Sequence, residues 1–293
     1  MTIIPYTPEL AKLPPDGVYS GVPNEVYHRS WDACGRSALK MMAVDGLTPS
    51  HVRDAFLRPQ EPSASMNLGT AVGDMIDFPD EIRVLPAPDV DRRTKDGKAT
   101  YAAFIEKAQG KLVLPHDDYQ EAVKMVENLR KHPAASVLLE DPGHIQLSLV
   151  WTDKETGLRC KCRPDKICPE SGIAIDLKTA ACAASRTFAN AMFRYGYHLQ
   201  AAFYSRGLEV LEVMRVDHWI DIVVENEPPH CVAVYQIGAA SIAHALASML
   251  PHMHRLAECY RTGNWKGYAL DIQPIELPAW VLKIEPDYST EGE

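Results

Sequence analysis

RPDKICPESGIAIDLKTA, running from Arg163 to Ala180, is the stretch on which the reading of this chain turns. The short apolar run Ile173–Leu177 carries Asp176 and leads directly into Lys178, a pattern that suits a central strand ending at a polar site. Residues i and i+2 of a strand face the same side, so Asp176 and Lys178 project together. Asp165 lies eleven residues before Asp176, at the end of the preceding predicted strand, and can reach the same point. Two carboxylates so placed can hold a hard divalent cation, Mg²⁺ or Mn²⁺, through oxygen. A lysine beside them can orient a water or help to deprotonate it. Such a set suits hydrolysis of a phosphodiester. An Asp-x-Lys ion pair at the end of a sheet is the plainer account of the same residues, and the rest of the chain must choose between the two.

Upstream, His144–Asp153 alternates through Ile145, Leu147, Leu149 and Trp151, which predicts a half-buried strand. Thr156-Gly157 makes a turn and Leu158–Pro164 alternates again, giving a hairpin. Downstream, Arg186–Arg206 is helical, with Tyr197, Gln200 and Tyr204 on one face. Val216–Glu225 and Val232–Ile237 read as strands, and Ala239–Arg261 as a long helix kinked or broken near Pro251. On the N-terminal side, Gly17–Tyr27 reads as strand and turn. Ser37–Ala43 reads as a helix with Ser37 near its N-cap. Helical spacing returns over Leu68–Phe78, Tyr101–Gln109 and Asp118–Lys131. Leu85–Lys98, with its prolines and Asp-Gly pair, is expected to be a loop holding Arg92, Arg93, Lys95 and Lys98. The order predicts an α/β fold, a mixed central sheet flanked by helices with helical decoration at its N-terminal side. Residues 1–60 form that decoration, 61–268 the core, and 269–293 an acidic, Pro-containing tail.

The 293 residues are 46% hydrophobic and 24% charged, ordinary globular values that exclude wholesale disorder. Thirty basic against 39 acidic residues leave a formal charge of −9, which argues against a surface coated with positive charge for nonspecific nucleic-acid binding. A basic groove on an acidic body remains compatible with that total. No apolar run approaches the roughly 20 residues needed to cross a bilayer, and the N-terminus lacks a secretory pattern, so a cytoplasmic protein without membrane contact is expected. The seven cysteines are scattered. Cys160-x-Cys162 is too tight for a C-x2-C knuckle and no second pair follows, so free thiols rather than an iron–sulfur cluster are expected.

With these residues in view, the chain resembles the PD-(D/E)xK nuclease superfamily. More narrowly it resembles the RecE-type (exodeoxyribonuclease VIII-like) branch related to RecB-family and phage lambda exonucleases. The resemblance rests on Tyr27-His28, on Ser37–Lys40 with Pro49-Ser50-His51, and on Leu68-Gly69-Thr70-Ala71-Val72. It continues through Asp91–Thr94 with Gly97-Lys98, Trp151–Asp153 with Thr156–Leu158, Arg163-Pro164-Asp165, Asp176–Thr179, and Gln200 with Tyr204. It implies a restriction-endonuclease-like core in which Asp165, Asp176 and the carbonyl of Leu177 hold the metal. Lys178 would position the attacking water, and Gln200 and Tyr204 would support the site and the DNA strand.

Two positions depart from the pattern. Gly73 stands where the family usually has histidine, and Gln146 stands at the catalytic position where it usually has glutamate. Asp74, one residue along the helix from Gly73, is rotated by about 100° and makes a poor substitute. His144, two residues before Gln146 on the same expected strand face, is a partial compensation. DNA phosphates are expected to meet Arg92, Arg93 and Lys98 in the loop, and Arg159, Lys161 and Arg163, which alternate to one face of the hairpin strand. The implied activity is Mg²⁺- or Mn²⁺-dependent digestion of linear double-stranded DNA from an end, 5′→3′, leaving 3′ single strands for recombination. The implied partners are DNA ends, a RecT-like single-strand annealing recombinase, and further copies of the chain in a ring. The implied setting is a bacterial cytoplasm, with a phage or prophage origin. The alternative is a nuclease-fold protein that binds DNA ends or a partner with catalysis weakened at Gly73 and Gln146.

Overall fold

A computed structural model describes residues 1–58 and 61–282. The N-terminal part contains strands β1 (Ile3–Pro5) and β2 (Gly17–Ser20), then helices α1 (Arg36–Ala43), α2 (Pro49–Leu57) and α3 (Ala64–Asp77). Next come β3 (Val84–Pro86), α4 (Lys95–Ala108), β4 (Leu112–Leu114), α5 (His116–Lys131) and α6 (Pro133–Glu140). The strands β5 (His144–Ile145), β6 (Ser148–Thr152), β7 (Arg159–Cys162), β8 (Lys166–Cys168) and β9 (Ile173–Ala180) follow. Helices α7 (Ser185–Tyr195) and α8 (Tyr197–Val210) lead to β10 (His218–Glu225), β11 (Val232–Gln236), α9 (Ala239–Thr262) and the short α10 (Ala279–Leu282).

Strand β9, the predicted central strand, lies in the middle of a five-stranded sheet of order β11-β10-β9-β8-β5. It pairs in parallel with β10 over its whole length and antiparallel with β8, so the sheet is mixed. A second sheet, β1-β2-β6-β7, holds the predicted hairpin together with two strands from the N-terminal segment. That segment is therefore part sheet as well as helix. Alternation along β9 and β10 sends Ala174 and Trp219 into a core shared with Trp151, Phe203, Leu39 and Leu256. It sends Ile175 and Ile222 to the opposite face, against Val72, Met125 and Leu129 of α3 and α5. Asp176, Lys178 and Asp221 share the first of these faces.

Several expectations are corrected. His144–Asp153 is not one strand. The chain changes sheets at Gln146, which sits in the left-handed region at φ +50°, with β5 paired to β8 and β6 paired to β7 and β2. His144 and Gln146 therefore do not share a strand face. Arg186–Arg206 is two helices, because Gly196 at φ +69° ends α7 in a conformation that costs glycine little. The loop expected over Leu85–Lys98 is partly ordered: Leu85 and Pro86 lie in β3, and α4 starts at Lys95, capped by the Thr94 hydroxyl accepting from Gly97 N at 2.9 Å. Gly35 rather than Ser37 is the N-cap of α1, and α9 runs through Pro251 as one helix. Of the expected tail, residues 283–293 lie outside the described residues.

Candidate active site

A cleft of about 360 Å³ opens over β9, walled by α3 on one side and α8 on the other. Its floor is Asp176-Leu177-Lys178, and Asp165, Gln146, Arg163, Gln200 and Tyr204 reach it from neighbouring elements. Asp176 is 1% exposed. Its Oδ1 accepts from Gln200 Nε2, and its Oδ2 lies against the Lys178 ammonium without a hydrogen bond of sound geometry. The other end of the Gln200 amide closes the knot: Oε1 accepts from Lys178 Nζ at 3.2 Å and from Arg36 Nη2 at 3.2 Å. Asp165, on the turn between β7 and β8, has its Oδ2 held by the backbone N–H of Leu177 at 2.8 Å. The two carboxylates are thus fixed by different partners above adjoining strands.

Electrostatics follow from burial and neighbours. Desolvation pulls the Lys178 ammonium down to about 8, against the opposing pull of Asp221 and Asp165. Burial pushes the Asp165 carboxyl up, moderated by Lys178 and the Leu177 N–H. Asp221, wholly buried and in register with Asp176 on β10, rises to about 6 by burial, against Lys178 and a hydrogen bond from Trp219 Nε1. Asp77, the last residue of α3, rises to about 7 through burial and the charge of Asp165, against a hydrogen bond from Gln146. Carboxylates raised by burial beside a desolvated lysine in one cleft mark it as the candidate functional site.

Residues 56–277 match a family model described as a PDDEXK-like domain of unknown function (DUF3799). The chain belongs to this family. Pro164-Asp165 followed by Asp176-Leu177-Lys178 has the letter pattern that this description spells. A crystal structure described as a "Putative exonuclease" from Eubacterium rectale shares the fold, with a TM-score of 0.56 at 11% identity over 86% of this chain and 93% of that one. A structure described as SSO0001 covers 64% of this chain and 84% of its own at 14% identity, but its TM-score of 0.28 is too low to carry weight. No curated protein matches the chain. What is shown is a PD-(D/E)xK-type nuclease fold; the RecE-type branch is not named by these matches.

In this PDDEXK-like chain the structure brings together Asp165, Asp176, Leu177, Lys178, Gln146, Arg163, Gln200 and Tyr204. It does not bring the other proposed DNA-binding residues there. Arg92, Arg93 and Lys98 are exposed but line no part of the cleft, and Arg92 stacks on Tyr101 at 4.0 Å. Arg159, Lys161 and Arg163 do share a face, but the chain's own N-terminal segment covers it. Arg159 pairs with Asp16 and donates to Pro14 O. Lys161, 6% exposed, donates to the carbonyls of Tyr27 and Trp31. Arg163 reaches the cleft wall while donating to Asn24, Ser148 and Val22 O. Lys166 is buried on the carbonyl of Leu139 at 2.6 Å.

Sequence reasoning missed Arg36, Asp77 and Asp221. Asp221 left a signal, a carboxylate inside the apolar strand His218–Glu225; Asp77 left one too, one helical turn beyond Gly73 on the same face. Cys160 and Cys162 are buried in the main core, where desolvation pushes both thiols well up.

A family of this type implies a divalent cation. Among the described residues no three carboxylate, imidazole or thiolate side chains already converge at ligating distance. The donor set nevertheless fits a hard cation: two carboxylates face one cleft, Asp176 Oδ2 is buried with only an ammonium beside it, and the space that a Cβ on Gly73 would enter is open.

Proposed function

We propose that the protein is a metal-dependent deoxyribonuclease that hydrolyses linear double-stranded DNA from an end, of the RecE type and with 5′→3′ polarity. The observation that carries the proposal is the knot of Asp176, Gln200 and Lys178 with Asp165 beside it, in an open cleft on a PDDEXK-like fold. Asp165, Asp176 and the Leu177 carbonyl are the groups that would hold Mg²⁺ or Mn²⁺. The cation, when bound, supplies positive charge to the scissile phosphate and acidifies a water. Gln200 holds Asp176 and Lys178 at fixed separation, and Arg36 fixes Gln200 in turn. Lys178, with its ammonium drawn toward neutrality by burial, is the group placed to orient the attacking water and to move its proton. The ammonium also lies over the Tyr197 ring, 4.6 Å from its centroid. Duplex DNA ends are the substrate of this activity, and a RecT-like annealing recombinase and a ring of copies of this chain are the partners proposed with it.

The test is cleavage of linear duplex DNA labelled at the 5′ or the 3′ end, with Mg²⁺ or Mn²⁺, beside circular and single-stranded DNA. Asp176→Ala and Lys178→Ala serve as controls. Release of nucleotides from the 5′ label, absent in both controls and on circles, is the expected outcome. Retained binding of DNA ends without release in either metal would overturn the enzyme and leave an end-binding relative.

A further inference from the structure

We propose that the end of α7 is a base-stacking subsite, in which Tyr195 takes a nucleobase and Arg194 a neighbouring phosphate of an unpaired DNA strand leading out of the cleft. The inference rests on the nuclease assignment and adds to it the path of the strand beyond the scissile phosphate. It starts from a second hollow, of about 710 Å³, a size that accepts a small-molecule ligand. Gly69 lines both this hollow and the cleft, and Thr179 and Ala180 carry β9 onward from Lys178 along its wall. A Cβ on Gly69 would sit 3.2 Å from Thr179 Oγ1, so a side chain there would press on the strand where the two spaces meet.

Four stacked rings end in this hollow. Tyr235 stacks on Phe188 at 5.3 Å, Phe188 on Tyr197 at 5.9 Å and Tyr197 on Tyr195 at 5.8 Å, with interplanar angles of 14°, 28° and 29°. The first three rings are buried or half-buried; Tyr195, 46% exposed, is the open end of the run. Every base has a π-face, so a nucleobase can extend such a run whatever its sequence. The run is tied to the catalytic knot twice. Lys178 lies over Tyr197, and Arg36 donates to the Tyr195 carbonyl at 3.1 Å while also donating to Gln200. Arg194 is exposed, 5.7 Å from the Tyr195 ring centre, and among the described residues it forms no ion pair. Thr187 and Asn190 join it at helical spacing on the face of α7 that lines the hollow. None of the described lining residues is acidic, in a chain of formal charge −9 whose neighbouring cleft holds Asp74, Asp77, Asp165 and Asp176. An open ring for a base, a free guanidinium for a phosphate and continuity with the cleft together select a polynucleotide strand as the occupant.

The experiment is binding of a short single-stranded oligodeoxynucleotide to the full chain in EDTA, which withholds the metal that cleavage needs. Anisotropy of a terminal dye reads affinity, quenching of an internal 2-aminopurine reads stacking, and circular dichroism checks folding. Tyr195→Ala should weaken binding by about tenfold and remove the quenching, and Tyr195→Phe should keep both, because stacking needs the ring and not the hydroxyl. Arg194→Ala should make the slope of log affinity against log salt shallower by about 0.7, the share of one phosphate contact on a single strand, and Arg194→Lys should keep it. Phe193→Ala removes another exposed ring of α7, one that does not line the hollow, and should bind as the wild type does. Wild-type affinity and quenching in Tyr195→Ala, with metal-dependent cleavage by the wild type intact, would overturn the subsite and leave the nuclease assignment standing. Neither binding nor cleavage of DNA by the wild-type chain would overturn both.

Discussion

Replacing Lys178 with methionine tests the electrostatics of the site without DNA. The side chain keeps most of its length and loses its charge, so the perturbation falls on Asp176. That carboxylate is 1% exposed and has two contacts, the Gln200 amide and the ammonium; the lysine is 12% exposed. Removing one partner of a buried pair costs about 3–5 kcal/mol, because the other charge stays buried and unmatched. Two features reduce this. The ammonium is itself desolvated, as its fall to about 8 shows, and Gln200 still donates to Oδ1. The expected loss is about 2–3 kcal/mol, or roughly 4–12 °C in Tm for a chain of this size. Melting at pH 7 in EDTA measures it, and Asp176→Asn with the double variant completes a cycle whose coupling should be about 2 kcal/mol. Mn²⁺ should restore more stability to Lys178→Met than to the wild type, because it replaces the missing positive charge. A variant within about 0.5 kcal/mol of wild type, or an additive cycle, would refute the description of Asp176 as a buried carboxylate dependent on Lys178.

The buried acid on β10 gives a pH-dependent prediction. Folding raises Asp221 to about 6, so the native state holds a proton that the unfolded chain has released between about pH 4 and 6. Stability falls as pH rises through that window, and the penalty is complete above it. Asp221→Asn should therefore stabilise the protein by about 1–2 kcal/mol at pH 7, with the gain fading toward pH 4, read by urea unfolding at each pH. On β7, Lys161→Ala should cost about 2–4 kcal/mol by stranding the carbonyls of Tyr27 and Trp31, while the salt dependence of DNA binding by the folded protein stays unchanged. A shallower salt slope in that variant would return Lys161 to the DNA interface.

The strand Ile173–Ala180 was legible because an apolar run ending in Asp176 and Lys178 has one economical reading, and the hairpin because Gly157 marks its turn. The Gln200 face of α8 was legible from helical spacing alone. The sheet change at Gln146 was not, because the alternation of apolar residues continues on either side of a single left-handed residue. Strand β8 escaped because three residues between Asp165 and Pro169 carry too little pattern, and the end of α7 because Gly196 interrupts an otherwise continuous helical signal.

Local order thus decided which residues can face one another across a strand or along a helix. Asp176 with Lys178, and Arg159 with Lys161 and Arg163, do share faces as their spacing requires. What lies over each face was decided by contacts between segments far apart in the chain. The second face is covered by carbonyls and side chains from residues 14–31, which engage all three of its cations, and only Arg163 of the three also lines the cleft. The first is open and receives Gln200 from α8, while Asp77 stands across the cleft on α3. Periodicity records the direction of a side chain; the partner that waits there depends on how distant segments pack, and only the folded chain sets that.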